Sequence, residues 1–286
     1  MSGRWFADWL RGDDDDRRGS RRPRGISPTG DKPWLRADPV DACPVPERQR
    51  KWIEWGLRWC AREFGPATDP LRTVAMPGFA PSDFTCTQAE AEALVRRIGA
   101  VMGADITAIS LVLLDPPPGP APTKRHTVGT YRKTAEGAEI SLNRSVADRP
   151  DAFAALVAHE VAHARLIGER HVENRTFGPG EEEDLTDLAT VHLGMGVLTA
   201  NAADSYVKAT GYSVTALGEL TDWMLTGRRD EPPHHMGYLS PQEFGYALAC
   251  WSELRGDTAP GWARHLAASV RDAFAQGLAY RASRPR

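Results

Sequence analysis

The chain has 286 residues, enough to bury a sizeable core as one large domain or as one domain built of two lobes. Charged residues make up 26% and hydrophobic residues 41%, with a formal net charge of -3. A near-neutral chain lacks the field that non-specific phosphate binding needs, and no stretch interleaves basic with aromatic residues, so no nucleic-acid partner is expected. The longest apolar run, Ile106 to Leu114, falls well short of the roughly 20 residues that span a bilayer as a helix, so no transmembrane segment is expected.

The N-terminus meets the acidic run Asp13 to Asp16 before the apolar core of an export signal could form. Its four cysteines, Cys43, Cys60, Cys86 and Cys250, are scattered and include no CxxC pair. Both features predict a cytoplasmic protein with reduced thiols. Residues 11 to 46 are crowded with Arg, Asp, Gly, Pro and Ser, a composition that buries too little apolar surface to offset the entropy of ordering it. Residues 1 to 46 therefore read as a disordered leader. At its tip, Trp5 to Leu10 could form one apolar face of a short helix, either docking a partner or touching a membrane; a frayed end is the simpler reading, because so short a helix is marginal alone.

From Arg48 to Phe64, the residues Trp52, Trp55, Trp59 and Phe64 recur at helical spacing and read as core anchors. A loop through Met76 to Pro81 follows, then a second helix from a Thr87 cap to Met102. Ile106 to Leu114, rich in branched residues and stopped by Asp115-Pro116-Pro117-Pro118, predicts a buried strand. Thr127 to Lys133 and Glu139 to Asn143, on either side of Ala135-Glu136-Gly137, predict a hairpin. From Pro150 the pattern is helical almost to the end, with breaks near Gly168 to Gly180, Gly227 to Ser240 and Arg255 to Pro260. Helices, a strand, a hairpin and then helices define an α+β lobe followed by an all-helical lobe.

The chemistry centres on His159-Glu160-Val161-Ala162-His163, an HExxH string. Its helix is framed by Asp148 as a cap, Pro150 and Asp151 in the first turn, and Gly168 at the end. Positions i and i+4 share a helix face, so both imidazoles can meet one metal ion. Glu160, one residue step around the helix, stands beside that ion rather than on it. The flanking Leu156, Val157, Leu166 and Ile167 predict burial, where an unpartnered His-Glu-His cluster would be costly.

A catalytic zinc usually keeps three protein ligands, so a third must come from elsewhere. The acidic segment Glu181 to Asp187 reads as the first turns of a further helix. Glu183 and Asp187 stand four apart on one face, offering one carboxylate for the metal and another to hold a ligand imidazole. Glu182 is the rival ligand, but no carboxylate follows it four residues on. Gly194, Gly196, Ala200 and Ala202 extend this helix with small side chains that would let it approach the HExxH helix closely. His192 on the same segment reads as a packed histidine, and His126, His171 and His265 have no evident partners.

HExxH followed, after the 19 residues from Ala164 to Glu182, by a Glu183-to-Asp187 ExxxD resembles the gluzincin, thermolysin-like metallopeptidases. The resemblance covers about residues 150 to 200. It implies a single zincin-like domain over residues 47 to 286, with an α+β lobe over 47 to 180 and a helical lobe over 181 to 286. It also implies zinc held by His159, His163 and Glu183, Glu160 as general base, and Asp187 as the carboxylate behind a ligand histidine. Over a longer span, including the Trp-rich first helix, the Pro77-Gly78-Phe79-Ala80-Pro81 loop and Phe244 to Ala249, the chain resembles an uncharacterised bacterial HExxH protein family with no settled substrate.

The expected reaction is hydrolysis of a peptide or protein substrate, with Glu160 taking the proton of the attacking water and passing it to the leaving amine. An oxyanion donor is expected among Arg228, Arg229, His234, His235, Tyr238 and Tyr246, with Tyr238 and His235 preferred because the loop from Asp230 to Ser240 could rim a cleft. Two other readings stay open from sequence: a zincin-fold scaffold that binds partners without turnover, and a hydrolase of non-peptide amides.

Overall fold

The structure is a computed structural model, and it describes residues 42–69, 73–115, 129–178, 180–210 and 239–284. Trp5 to Leu10, His126 and the segment carrying Arg228, Arg229, His234, His235 and Tyr238 lie outside the described residues. The described chain is α+β: seven α-helices and a small mixed sheet of three strands. None of the described helices is long and apolar enough to cross a membrane.

Packing begins slightly before the expected leader boundary. Val45 is buried and Cys43 packs on the core, while the Ala42 carbonyl accepts a hydrogen bond of 2.9 Å from Gln276 Nε2. Residues 42 to 46 are therefore docked, although their composition alone suggested otherwise. Helix α1 (Glu47–Glu63) then buries Trp52, Ile53, Gly56, Leu57, Trp59 and Cys60, confirming the aromatic anchors. Helix α2 (Gln88–Met102) opens on a capping box between Thr87 and Glu90, as the Thr87 cap predicts.

Strands β1 (Ile109–Leu114), β2 (Gly129–Thr134) and β3 (Gly137–Asn143) form the sheet in the order β1-β3-β2, with β1 parallel and β2 antiparallel to β3. The expected hairpin is present. The expected buried strand is not: β1 begins three residues late and lies at an edge, with Val112 37% and Leu114 45% exposed. A continuous run of branched residues suits two buried faces as well as one, so composition could not tell an edge from a centre. Burial belongs instead to β3, where Ala138, Ile140 and Leu142 face the core.

Helix α3 (Pro150–His163) carries the HExxH string. Its N-cap is Arg149 without a side-chain cap, and Asp148 is turned toward Arg149 Nε at 3.8 Å, so the expected Asp148 cap is not made. Asp151 ties the first turn down instead, accepting from the amides of Gly78 at 2.7 Å and Ala80 at 3.3 Å. A π-turn over Ala164–Gly168 follows directly. From Ala152 to His163 only His159 is not fully buried, which is why the helix is apolar almost all round.

Helix α4 (Glu181–His192) stops before the small-residue segment, correcting the expected continuous helix. Gly194 adopts φ +95, and a Cβ there would lie 2.0 Å from the Thr73 carbonyl, so this position turns the chain and admits another strand of backbone. Helix α5 (Gly196–Thr210) starts afresh and packs on α3, but Gly196 itself faces Val191 and Leu248 rather than the HExxH helix. Close approach at α4 comes from α1: a Cβ on Gly56 would meet Leu188 Cδ1 at 2.4 Å. Helices α6 (Pro241–Leu254) and α7 (Ala268–Ala282) close the structure against each other, and α1 packs on both α4 and α6. The first helix is thus shared with the helical half of the chain.

Candidate metal centre

The π-turn, β2 and the first turns of α4 surround the exposed side of α3, and four side chains meet there. His159 and His163 lie one turn apart on α3, with ring centroids 4.9 Å apart. Glu183 Oε2 is 3.1 Å from His159 Nε2 and 3.1 Å from His163 Nε2. Asp187, one turn further along α4 and 1% exposed, places Oδ1 2.8 Å from His159 Nδ1. The three residues His159, His163 and Glu183 form a group that could hold a metal ion. Glu182, the rival in sequence, does not join them.

The hydrogen-bond partners settle which ring atoms face inward. A carboxylate has no proton to give, so His159 Nδ1–H donates to Asp187, and Nε2 faces Glu183 as a second donor when the ring is protonated and as a lone pair when it is not. Thr186 repeats the device on the other ring. Its hydroxyl donates to the Glu182 carbonyl at 2.9 Å, leaving its oxygen to accept from His163 Nδ1 at 3.4 Å. With both rings neutral, two imidazole lone pairs and a carboxylate oxygen converge, an arrangement stable only with positive charge among them: a proton or a cation.

The titration behaviour agrees. Burial works against a charged His159, but its hydrogen bonds to Asp187 and Glu183 outweigh burial and hold its pKa well above the ordinary imidazole value. Burial likewise opposes a charged Glu183, yet the bonds from His159 and His163 bring it down to about 2. Glu160, 3% exposed, is pushed up by burial, partly offset by His159 and His163. Asp184 is pushed up to about 8 by burial first and then by Glu243, Asp187, Glu181 and Glu183 around it. Crowded acids thus push Asp184 toward its protonated form, while Glu183 keeps its charge opposite the His159 ring.

Three further contacts shape the site and have no signature in the sequence. The Tyr131 ring on β2 stacks on His163 at 6.4 Å with an interplanar angle of 17°. Gly129, also on β2, faces Glu160: a Cβ there would come within 2.5 Å of Glu160 Oε1 and 2.8 Å of Leu156 Cδ1. Last, Asp187 Oδ2 accepts the Leu239 amide at 2.9 Å, tying the start of the α6 segment to the carboxylate that orients His159. All three join residues far apart in the chain.

The other described histidines sit elsewhere. His192 is fully buried with Nε2 2.9 Å from the Gly65 carbonyl, the packed role expected of it. His171 lies between Glu63 and Glu169 and edge-on to Phe64, and His265 Nε2 accepts from Arg264 at 3.0 Å. Tyr246, one of the expected oxyanion candidates, is buried with its hydroxyl donated to Glu54 at 2.6 Å, so it is committed to another network. Comparison with known proteins finds no matching family model, no matching curated protein and no matching solved structure.

Proposed function

We propose that the chain is a zinc-dependent peptidase with a zincin-like fold, its metal held by His159, His163 and Glu183. The observation that carries this reading is the convergence of both Nε2 atoms on one Glu183 oxygen at 3.1 Å, with both Nδ1 positions already engaged. Four ligands set tetrahedrally at zinc distances of about 2.0–2.1 Å lie about 3.3 Å from one another, close to that spacing. A zinc ion bound there supplies Lewis acidity toward a carbonyl and lowers the pKa of water.

The chain's own residues do the rest. Glu160, one residue step around α3 from His159 and buried, takes the proton of the attacking water and delivers it to the leaving amine. Asp187 keeps His159 in the tautomer that presents Nε2, and Thr186 does so for His163. Glycine at position 129 lets β2 lie against Glu160, so the base is walled on one side by backbone. For the oxyanion donor we propose Tyr238 and His235, since Tyr238 is the covalent neighbour of Leu239, whose amide Asp187 holds. In this reading residues 47 to 180 and 181 to 286 are the two lobes, with the centre drawing ligands from both.

The test is zinc analysis of the purified chain together with cleavage of a mixed peptide library, using Glu160→Gln as control. Stoichiometric zinc in both proteins is expected, with turnover lower in the variant by about 10²-fold or more, the usual scale of general-base catalysis. A zinc-loaded wild-type chain that cleaves nothing would overturn the peptidase reading.

A further inference from the structure

The two imidazoles of the centre are not held equally. His159 Nδ1 faces the Asp187 carboxylate at 2.8 Å, whereas His163 Nδ1 faces the Thr186 hydroxyl at 3.4 Å. A hydrogen bond to a carboxylate is about twice as strong as one between neutral groups, and 3.4 Å is long for either kind. The second ring therefore needs more than its Nδ1 contact to stay in place. Resting on the metal centre of the reading above, we propose that Tyr131 is the positioning residue for His163: its ring, braced against Gly168, keeps His163 Nε2 aimed at the point it shares with His159 and Glu183.

Three observations meet on this side chain. The Tyr131 ring lies nearly parallel to the His163 imidazole, at 17° with centroids 6.4 Å apart, within the range of about 4.5–7 Å over which offset rings attract one another. His159 meets the same imidazole almost at right angles, at 83° and 4.9 Å, so the His163 ring has aromatic neighbours in two directions.

The far end of Tyr131 is fixed as well. The chain leaves α3 through the π-turn Ala164–Gly168, and a Cβ on Gly168 would lie 2.8 Å from Tyr131 Oη and 3.7 Å from Cζ. The hydroxyl thus rests against a residue without a side chain, five positions after the ligand whose ring it helps to hold. Turns of this kind inside helices occur mostly where a side chain has a functional placement to keep.

Strand β2 supplies the direction. Gly129 and Tyr131 are two apart and share one face of the strand, the face on which Gly129 abuts Glu160. Tyr131 pairs with Ile140, which is fully buried on β3, so the core fixes the register. A slip of one residue would turn the ring away from His163.

Zinc affinity of the full chain, measured by competition with a chromophoric chelator, tests the proposal without reference to cleavage. Tyr131→Leu keeps an apolar side chain but removes the flat ring, and should weaken zinc binding by about 10-fold, the lower end of what partners of metal-ligating histidines carry. Tyr131→Phe keeps the ring and should stay near wild type. Gly168→Ala puts a methyl against the hydroxyl and should weaken binding to a similar degree. Combining Gly168→Ala with Tyr131→Phe should restore it, since the ring carbon then left nearest lies at an ordinary contact distance of 3.7 Å. Local damage to the π-turn would not be repaired by removing one oxygen from another strand, so the rescue separates positioning from mere structure. The visible spectrum of the cobalt-substituted protein should follow the same order, altered in Tyr131→Leu and Gly168→Ala and restored in the double variant. If Tyr131→Leu fails to fold, the Gly168 pair still decides. Wild-type affinity and spectrum in Tyr131→Leu, or a Gly168→Ala defect that Tyr131→Phe leaves uncorrected, overturns the role. A chain that binds zinc, shows the rescue and cleaves no peptide keeps Tyr131 in place and sinks the peptidase reading, whereas a wild-type chain that binds no zinc removes both.

Discussion

Two partly buried polar clusters can be compared within this protein, and they are built on opposite principles. Between α1, α6 and α7, Glu54 Oε1 accepts from Tyr246 at 2.6 Å, Arg281 at 3.0 Å and Arg50 at 3.2 Å, while Arg281 Nε also binds Glu253. Two guanidinium groups face two carboxylates, so donors and charges balance without outside help. Between α3 and α4 the pattern differs: both Nε2 atoms, of His159 and His163, face one Glu183 oxygen at 3.1 Å, with the Asp187 carboxylate behind the first ring. The first cluster pairs each carboxylate with a guanidinium; the second gathers three side chains that could hold a metal ion.

The largest expected contrast between the clusters is in metal binding. Replacing His163 with Ala should lower zinc affinity on the order of 10³-fold, if each of three ligands carries a comparable share of the roughly 10–16 kcal/mol seen for protein zinc sites. Equilibrium dialysis against a zinc-buffered solution measures it; unchanged stoichiometric binding would break the assignment of this residue. The converse substitution, Glu54→Ala, should leave zinc binding intact but cost about 1–3 kcal/mol of stability by urea unfolding, since Tyr246 and Arg50 lose their shared acceptor while Arg281 keeps Glu253. A loss of zinc in that variant would show that the clusters are not independent.

Smaller effects sharpen the comparison. Asp187→Asn keeps the shape of the side chain but weakens its hold on His159 Nδ1–H, and a loss of about 10- to 100-fold in metal affinity is expected. The smallest effect is in pH dependence. The depressed Glu183 pKa contributes stability above its unfolded value and loses it as pH falls through the native value of about 2. The elevated His159 pKa contributes stability below its unfolded value and loses it as pH rises through the native one. In metal-free protein the pair should therefore stabilise most between about 4.3 and 6.5, the unfolded values of Glu and His. Added zinc, which needs unprotonated rings, should stabilise increasingly on the alkaline side. Urea midpoints measured across pH with and without zinc check the sign of both slopes.

Much of the centre was legible before any coordinates. His159 with His163, and Glu183 with Asp187, are each four residues apart on a helix, so a local periodicity puts each pair on one face. The Thr87 cap, the anchoring tryptophans of α1 and the hairpin depend on neighbours in the chain in the same way. Two misreadings have a different origin. Whether Ile109 to Leu114 is an edge depends on which strand pairs beyond it, and where α4 stops depends on the backbone of Thr73 lying against Gly194.

What the amino-acid order determined by itself is therefore the set of local pairs: two imidazoles on one helix face, two carboxylates on another, and the base one step around from the first histidine. Only the tertiary structure decided that the two faces meet at 3.1 Å, that Thr186 and Asp187 present both Nε2 atoms inward, and that β2 brings Gly129 against Glu160 and Tyr131 over His163. The reason is range. Helical periodicity is set by bonds within a turn, whereas the meeting of α3, α4 and β2 is set by how apolar surfaces far apart in the chain fill one core.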